Sequence, residues 1–514
     1  MMTTFHRLWS ETKARLRTGR WLPFALAGTV LVALYGYHYY CCSQSVLVAM
    51  PLVSDQSDMF INVNWALSIL DQGWLNPHPF HPNFEWMALV GTPDEWTRWW
   101  GGEAIFHQAP LYAYFMSFLF RVNDNASLIY LMNTAMGASL CVVIGLIARR
   151  MSGESRVGWL AFGLAVLYSP FYAYSWPMLR DVIGWLVTAV LLLLLLESDR
   201  WAAGGWKANL LAGLVGLALG VGYMARETFM LIIPLVVAAA VTSAIRRKIY
   251  GPLGWMLACL VLAMSPLLIR NAEVGAPLLS SSTRFAEGFI EGNAASAVPN
   301  RFVVIRGMRA ILLKSNGKAL RVVGETLQTH PNVWTFLRLQ VAKAVSLLDP
   351  FEPCENVNVY FMGYISPPVR WGLPHWMVIV PGLAGLVLGV VRGRRQHFWL
   401  WLLLLPILAS VLMGPPMSRY RQGLMVLWMP WAAYFLWALW GDCRARRRAA
   451  ITKTAILVLG WAACLTVFAR EPKNRYESSL DYRMAAQLYE KAGDTARAAE
   501  MHQLLREKFP GEKP

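Results

Sequence analysis

The chain has 514 residues, of which 56% are hydrophobic and only 15% are charged. Soluble globular domains carry about 25% charged residues, so this composition excludes a soluble protein, a disordered chain, a collagen and a coiled coil. The net charge of +17 would indicate a nucleic-acid partner only if it lay on one soluble face. The seven cysteines lie mostly in or beside apolar runs and give no disulfide framework. The class of protein that remains is a polytopic membrane protein.

Eleven apolar segments are close to the length of about 20 residues that a transmembrane helix needs. They lie at about 21–40, 126–148, 157–175, 182–197, 208–225, 227–245, 253–269, 373–391, 398–413, 422–440 and 454–469. The first follows a basic stretch and lacks a small-residue cleavage site, which favours a signal anchor over a cleaved signal peptide. We therefore predict an all-α integral membrane protein with about eleven transmembrane helices.

The positive-inside rule sets the predicted orientation, because every second connection between these segments is basic. The basic residues are Arg149, Arg150 and Arg156; Arg200 and Lys207; Arg246, Arg247 and Lys248; Arg392, Arg394 and Arg395; and Arg444, Arg446, Arg447, Arg448 and Lys453. This distribution accounts for much of the net charge without nucleic acid. It predicts a cytoplasmic basic N-terminus over 1–20 and a transmembrane domain over 21–469.

The same alternation predicts two large outer loops, at about 41–125 and 270–372. The apolar segment 111–122 is too short to span, and we interpret it as a juxtamembrane helix in the outer interface. Residues 470–514 form an extracytoplasmic tail with tetratricopeptide-like spacing, which predicts a helical hairpin. One such repeat cannot bury its own apolar face. The hairpin therefore packs on its own protein, which we favour, or binds a protein partner.

Charged residues cluster at the predicted outer ends of the spans, where a polar side chain is costly and is a candidate for function. They are Asp55 and Asp58; Arg180 and Asp181; Arg226 and Glu227; Arg270; and Arg419 and Arg421, with the polar residues Asn271 and Tyr420 beside them. Arginine binds phosphate oxygens in bidentate fashion, so the cluster predicts a lipid-linked phosphate ligand. The alternative is that these charges pair between spans, since adjacent residues of a helix do not face each other. For Glu227 we favour this structural role.

The first outer loop holds further polar side chains and several tryptophans. A divalent metal held by Asp and His ligands is one interpretation, and solvated loop residues are the favoured one. The polar residues are His78, His81, Glu85, Asp94, Glu95, Glu103 and His107. The tryptophans indicate an interfacial aromatic belt in preference to a surface that stacks on sugars. They are Trp86, Trp96, Trp99 and Trp100.

Seven segments in this order resemble the polytopic glycosyltransferases of the GT-C type. The nearest branch is the bacterial, glycosyltransferase family 39-like group related to protein O-mannosyltransferases and lipid A aminoarabinose transferases. The resemblance covers roughly residues 20–440. The segments are Asp58 before WALSILDQGW, GGEAIFHQAPLYAYFMSFLFRV, SPFYAYSWPMLRDVIGWL, ARETFMLIIP, IRNAEVGAPLLSSSTRFAEGFIEGN, VAKAVSLLDPFEPCENVNVYF and SRYRQGLMVLWMPWAAY.

The resemblance implies transfer of one sugar, with inversion, from a polyprenyl-phosphate donor to a glycan, lipid or protein acceptor at the outer face of a bacterial inner membrane. It implies that Asp58 acts as the base, with Asp55 as the competitor, because the family's paired acidic motif is split here by two residues. Asp181 would hold the acceptor or a metal, so metal use stays open. Further residues are expected to hold the phosphate and to line the donor and acceptor loops. These are Arg270, Arg419, Arg226 and Arg180, and then Glu103, His107 and Tyr420.

Two other classes compete with this prediction. A ligase or polymerase of lipid-linked glycans would move a chain in place of one sugar. A transporter or flippase would show inverted repeats, broken helices and charges near the midplane. The sequence shows no repeat, and its charges lie at the ends of the spans.

Overall fold

The computed structural model describes residues 22–53, 55–393, 397–468 and 478–510. The predicted basic N-terminus over 1–20 and the two basic residues Arg394 and Arg395 lie outside this part of the chain. Within these residues the protein is helical and forms no β-strand, and a single β-bridge joins Tyr168 to Leu373. The predicted all-α fold is confirmed.

The first half of the chain forms thirteen of the α-helices. They are α1 (Leu22–Ser43), α2 (Met50–Val53), α3 (Asp58–Gln72), α4 (Glu85–Ala88), α5 (Pro93–Trp100), α6 (Leu111–Val122), α7 (Ser127–Ser152), α8 (Ser155–Leu167), α9 (Ser169–Ser175), α10 (Asp181–Leu196), α11 (Gly205–Ala225), α12 (Phe229–Arg247) and α13 (Gly251–Glu273).

The second half forms the helices of the second large loop, four long apolar helices and a terminal pair. They are α14 (Phe285–Asn293), α15 (Met308–Ser315), α16 (Ala319–Leu327), α17 (Val333–Ser346), α18 (Val359–Ile365), α19 (Pro367–Trp371), α20 (His375–Val391), α21 (Phe398–Met413), α22 (Ser418–Arg444), α23 (Arg448–Phe468), α24 (Ser479–Lys491) and α25 (Thr495–Lys508).

A helix occupies each of the eleven predicted spans. Six of these helices, α7, α11, α12, α13, α22 and α23, are long and apolar enough to cross a membrane by length and composition. The apolar helices α8, α10, α20 and α21 are shorter, as is the predicted interfacial helix α6. The predicted span 157–175 is divided at Tyr168 into α8 and α9.

Small residues let α11 and α13 pack with their backbones nearly touching. A Cβ atom added at Gly216 would lie 2.1 Å from the carbonyl oxygen of Met256, and one added at Gly220 would lie 2.8 Å from that of Leu260. Such close contact favours glycine, because van der Waals packing drives helix association in a membrane. The pair fixes the ends of α11 and α13 relative to each other.

The two large loops share a second hydrophobic core, separate from that of the helix bundle. It is built from α3, α5 and helices α14 to α16, and includes Trp65, Ile290 and Leu312. Trp96, Trp99 and Trp100 are buried in this core, with at most 8% of each side chain exposed. Packing within the loops therefore explains why tryptophan occurs at these three positions, and an interfacial aromatic belt is not needed to account for them.

The terminal helices α24 and α25 form a hairpin that packs on the same chain. Tyr482 is fully buried and its ring contacts Phe361 of α18, with ring centroids 5.0 Å apart. The carboxylate of Asp481 accepts a hydrogen bond of 2.9 Å from Asn358, and burial raises the pKa of this carboxyl group to about 6. On the other side, Arg497 donates to the carbonyl of Gln44 at 3.0 Å. This is the self-packed arrangement that the sequence analysis favoured.

Replacing Tyr482 with alanine is expected to release the hairpin. Removing a buried aromatic side chain costs about 3 kcal/mol, which is large for an element that rests on one face. Limited proteolysis in detergent should then cut between α23 and α24 at least tenfold faster than in the parent protein. Leu480→Ala is the matched control, because Leu480 is 59% exposed in the same helix. Equal cleavage of both variants and the parent would show that the hairpin does not depend on this contact.

Candidate active site

Charged side chains meet where several helices begin or end at one end of the bundle. Helix α3 begins at Asp58, α10 begins at Asp181, and α11 ends immediately before Arg226. Helix α22 begins one residue before Arg419. Ser57 caps α3 by accepting a hydrogen bond of 3.2 Å from the backbone of Phe60, which fixes the first turn and its acidic residue.

Asp58 is the buried centre of this cluster, with 5% of the residue exposed. Its Oδ2 lies 2.7 Å from Nη2 of Arg419, and its Oδ1 lies 3.6 Å from Nη1 of Arg284. Asn356 donates to Oδ2 at 3.2 Å and accepts a 2.9 Å bond from the Asp58 backbone N–H. Burial by itself raises the pKa of Asp58, but Arg419, Arg284 and Arg180 outweigh it. The pKa therefore lies well below its usual value and Asp58 is ionised.

Arg419 joins this carboxylate to a second one. Its Nη2 also lies 2.9 Å from Oε1 of Glu355 and donates to the hydroxyl of Tyr420 at 2.8 Å. Burial raises the pKa of Glu355, an effect that Arg419 opposes and Asp58 reinforces. Two acidic groups therefore share one guanidinium group, which leaves Glu355 the more easily protonated of the two.

Four of the predicted residues form crossed ion pairs between α10 and the turn that joins α11 to α12. Arg180 Nη1 lies 2.7 Å from Glu227 Oε1, and Arg226 Nη1 lies 2.6 Å from Asp181 Oδ1. Glu227 also accepts a 3.0 Å bond from the backbone of Ala109 and ties the first large loop to the bundle. This is the pairing between spans that the sequence left open, and Glu227 occupies the structural position expected for it.

Beside the cluster lies a cavity of about 420 Å³ that is polar at one end and apolar at the other. Its polar end is lined by Arg180, Arg226, Arg284, Tyr420 and three consecutive serines, 280–282. Most of the remaining wall is hydrophobic and includes Trp185, Phe229, Leu231, Phe289, Ile407 and Val411. Leu279, at its edge, is 62% exposed, so the cavity reaches the surface of the bundle. The cavity thus suits an amphipathic anion.

The sequence analysis missed the contribution of α14. Arg284, Gly288 and Glu291 all line the cavity, and their spacing of four and three residues places them on one face of this helix. Behind them, Glu287 Oε1 lies 3.0 Å from Nε2 of His107, a predicted loop residue that is 99% buried. The helical spacing of these polar residues was the signal available in the sequence.

Arg421, named in the sequence analysis, holds the loop over 349–358 through partners that the sequence did not reveal. Arg421 donates to the carbonyl oxygens of Asp349 and Phe351, at 2.7 and 2.5 Å, and pairs with Glu352 at 3.0 Å. The carboxylate of Glu352 also accepts a hydrogen bond from Ser418. Burial raises the pKa of Glu352 to about 7 against the opposing effect of Arg421. The loop that carries Glu355 and Asn356 is thereby fixed to the start of α22.

Three of the predicted site residues lie outside the cluster. Arg270 is buried, and its guanidinium group stacks on Phe106 and donates to the carbonyl oxygens of Leu75, Asn76 and Ala104. The N–H groups of Arg270 thus hold the first large loop, whereas the sequence analysis expected them to contact phosphate. Asp55 is exposed in a turn, and Glu103 is exposed with its carbonyl bonded to His81 at 2.9 Å.

The predicted metal ligands do not converge. Among the described residues no three His, Cys, Asp or Glu side chains are arranged to hold a metal ion. His81 stacks on Trp100 with ring centroids 4.8 Å apart, and the carboxylate of Asp58 is held by two guanidinium groups. The positive charge of Arg284 and Arg419 beside Asp58 disfavours a cation at this carboxylate.

The site and fold together are those of an all-α membrane protein with a charged cavity at one end of its bundle. Residues 107–269 match the model of a family described as dolichyl-phosphate-mannose-protein mannosyltransferase. The match confirms, for that part of the chain, the resemblance to GT-C glycosyltransferases of the protein O-mannosyltransferase branch. No curated protein sequence matches the chain.

Solved structures similar to this chain include oligosaccharyltransferases from Archaeoglobus fulgidus. One is AglB with an inhibitory peptide and a dolichol-phosphate, at 13% identity over 96% of this chain and 61% of that one, with a TM-score of 0.46. Another is the enzyme with Zn and sulfate, at 13% identity over 94% and 58%, with a TM-score of 0.42. The chain therefore spans about three fifths of the length of these proteins.

A buried lysine beside the cavity gives a pH-dependent prediction. Lys343 is fully buried and donates to the carbonyl of Gly292 at 2.9 Å, to Asn293 Oδ1 at 3.1 Å and to the carbonyl of Leu412. Burial lowers its pKa to about 7, whereas an unfolded lysine has a pKa of about 10.4. Between these values the unfolded chain binds more protons, so stability rises with pH over that range.

We therefore expect the melting temperature of the parent protein, measured relative to that of Lys343→Met, to increase from pH 7 to pH 10. Differential scanning fluorimetry in one detergent would measure both proteins. Lys314→Met is the control, because the Lys314 side chain is 67% exposed and should give a constant difference. A constant difference for Lys343→Met as well would contradict the prediction.

Proposed function

We propose that the protein is a membrane glycosyltransferase that moves one monosaccharide from a polyprenyl-phosphate donor to an acceptor at the extracytoplasmic face. The observation that supports this most is the cavity, which joins arginine side chains to an apolar wall beside the ionised Asp58. The family match over 107–269 supports the same reaction class. The side of the membrane follows from the basic connections, and the bacterial inner membrane from the resemblance.

The donor phosphate would lie at the polar end of the cavity. Arg180 and Arg226 each use Nη1 for a carboxylate, and their other N–H groups make no hydrogen bond to the part of the chain that the structure describes. Arg284 completes a group of three guanidinium ions at this end. Such groups bind phosphate oxygens and stabilise a phosphate leaving group. Arg419 is instead assigned to holding Asp58, and Arg270 to holding the first large loop.

The polyprenyl chain would lie along the hydrophobic wall. The wall is formed by the start of α12 and the end of α21, and it includes Met230, which is 55% exposed. An apolar chain entering from the membrane loses no hydration there, whereas the phosphate reaches charged partners. The arrangement therefore admits the donor sideways from the lipid.

Asp58 would act as the base. The acceptor hydroxyl gives its proton to Asp58, its oxygen forms a bond to the anomeric carbon, and the bond from that carbon to the phosphate oxygen breaks. Polyprenyl phosphate leaves with the electron pair, and attack from the opposite side inverts the configuration. A base works best with a pKa near the working pH. Donor phosphate bound at Arg284 would offset the charge that lowers the pKa of Asp58, and so would raise its basicity.

The reaction can be tested with the purified protein and a polyprenyl-phosphate monosaccharide labelled in the sugar. A single labelled sugar transferred to glycan, lipid or protein acceptors from an envelope extract is the expected result. Transfer of a preassembled chain from a lipid-linked oligosaccharide, with no transfer from the monosaccharide donor, would favour a ligase or polymerase. No transfer, together with movement of labelled donor across the bilayer of proteoliposomes, would favour a transporter.

Asp58→Asn is expected to lower kcat by at least about 100-fold, because general base catalysis contributes about that much or more. The donor should still bind, since the three arginines at the polar end are unchanged. Asp55→Asn is the matched control and should keep full activity, because Asp55 is exposed and outside the cluster. A folded Asp58→Asn protein that transfers sugar at the parent rate would remove Asp58 from this role.

A further inference from the structure

Glu291 is a buried residue that lines the cavity, and its carboxyl group has no partner among the described residues. Only 2% of the residue is exposed, and it lines the cavity on the same face of α14 as Arg284 and Gly288. Its carboxyl group makes no hydrogen bond or ion pair to the residues that the structure describes. Because no described residue pairs with this carboxyl group, its position in a cavity wall points to a ligand.

The charges around Glu291 come from three parts of the chain. Burial raises its pKa most, followed by the neighbouring carboxylate of Glu287. Glu355 and Asp58 act in the same direction, and Arg284 opposes them. The resulting pKa is well above the usual range, which favours the protonated form of Glu291, and a protonated carboxyl group can both donate and accept a hydrogen bond.

Helix α14 is held in place by neighbouring residues and does not need Glu291 for this. A Cβ atom added at Gly292 would lie 2.5 Å from the backbone of Gly414, so the helix and the turn before α22 are in close contact. Asn293 donates to the carbonyl of Met413 at 2.6 Å, and Lys343 donates to that of Gly292. The position of Glu291 is therefore fixed before any ligand binds.

We propose that Glu291 binds a hydroxyl group of the donor's sugar and selects a donor whose sugar is uncharged and hydroxylated. This inference rests on the proposed function and deepens it. In that reaction the sugar lies between the phosphate and the base. Glu291 lines the same cavity as Arg284, whose Nη1 lies 3.6 Å from Oδ1 of Asp58, so Glu291 lies at the same part of the site.

The chemistry of a neutral carboxyl group fits this role. A carboxylate here would repel the donor phosphate and would prefer a cationic amino sugar. A protonated carboxyl group does not repel phosphate, and it matches a hydroxyl group that is both donor and acceptor. A sugar without that hydroxyl would leave Glu291 unpaired, which is how a hydrogen-bonding site rejects an analogue.

The test compares Glu291→Ala with Glu291→Gln in the full-length protein in detergent. Two readouts are used: kcat/KM for a polyprenyl-phosphate hexose, and the Kd of polyprenyl phosphate that carries no sugar. Alanine should lower kcat/KM about tenfold, the typical loss of one hydrogen bond. It should leave the Kd of the sugar-free lipid unchanged. Glutamine, which is neutral and keeps a donor and an acceptor, should stay within about threefold of the parent protein.

The outcomes separate this inference from the proposed function. A Glu291→Gln protein as impaired as Glu291→Ala would overturn the hydrogen-bonding role, and so would an equal loss of binding to the sugar-free lipid. A parent protein that binds neither lipid and transfers no sugar would overturn the proposed function itself. If the parent protein instead prefers a donor with a cationic amino sugar and the alanine variant loses that preference, the selection for an uncharged sugar is refuted.

Gly288 supplies a variant that blocks the cavity beside Glu291. A Cβ atom added there meets no atom within 4 Å, so a side chain at this position begins in open space beside the cavity. Gly288→Leu should weaken binding of both the donor and the sugar-free lipid. Gly163→Leu is the matched control, because Gly163 of α8 is equally unobstructed and lies outside the cavity. Unchanged binding in Gly288→Leu would mean that neither lipid occupies this cavity.

Discussion

The ion pair between Asp58 and Arg419 is the contact on which the site depends. Taking two charges out of water costs several kcal/mol for each ion, and only close geometry with further hydrogen bonds offsets that cost. Here Arg284, Glu355 and Asn356 supply those further contacts. Because these residues come from α3, α14, α22 and the 349–358 loop, the need to neutralise one buried carboxylate brings both large loops onto the end of the helix bundle.

The crossed pairs beside this contact show how binding and folding share the same groups. Arg180 and Arg226 each neutralise an acidic residue of another segment and still line the cavity with their remaining N–H groups. Gly184 makes this possible, since a Cβ atom there would lie 2.5 Å from Cγ of Arg226. A ligand phosphate would therefore meet arginines whose orientation is already set, and little ordering is left for binding to accomplish.

The sequence predicted the helical architecture and most of the charged cluster, because apolar length and charge at helix ends are local signals. It did not predict the partners of these charges. Arg270 is at a helix end like the others, yet backbone carbonyls of the first large loop take up its donors, and only the folded loop reveals them. Arg284, Glu291 and Glu355 lie in loop segments where many polar residues are solvated, so their positions at the site depend on tertiary contacts that local patterns do not encode.

The hairpin of α24 and α25 has a consequence for biogenesis. Through Asp481 it holds Asn358, the residue that caps α18 and closes the segment carrying Glu355 and Asn356. This support comes from residues that follow α23 in the chain. During synthesis, the 349–358 loop can gain this support only after α23 has been inserted into the membrane and the hairpin has been made. Maturation of the site is thereby tied to synthesis of the hairpin, and a nascent chain that stops before α24 lacks this support.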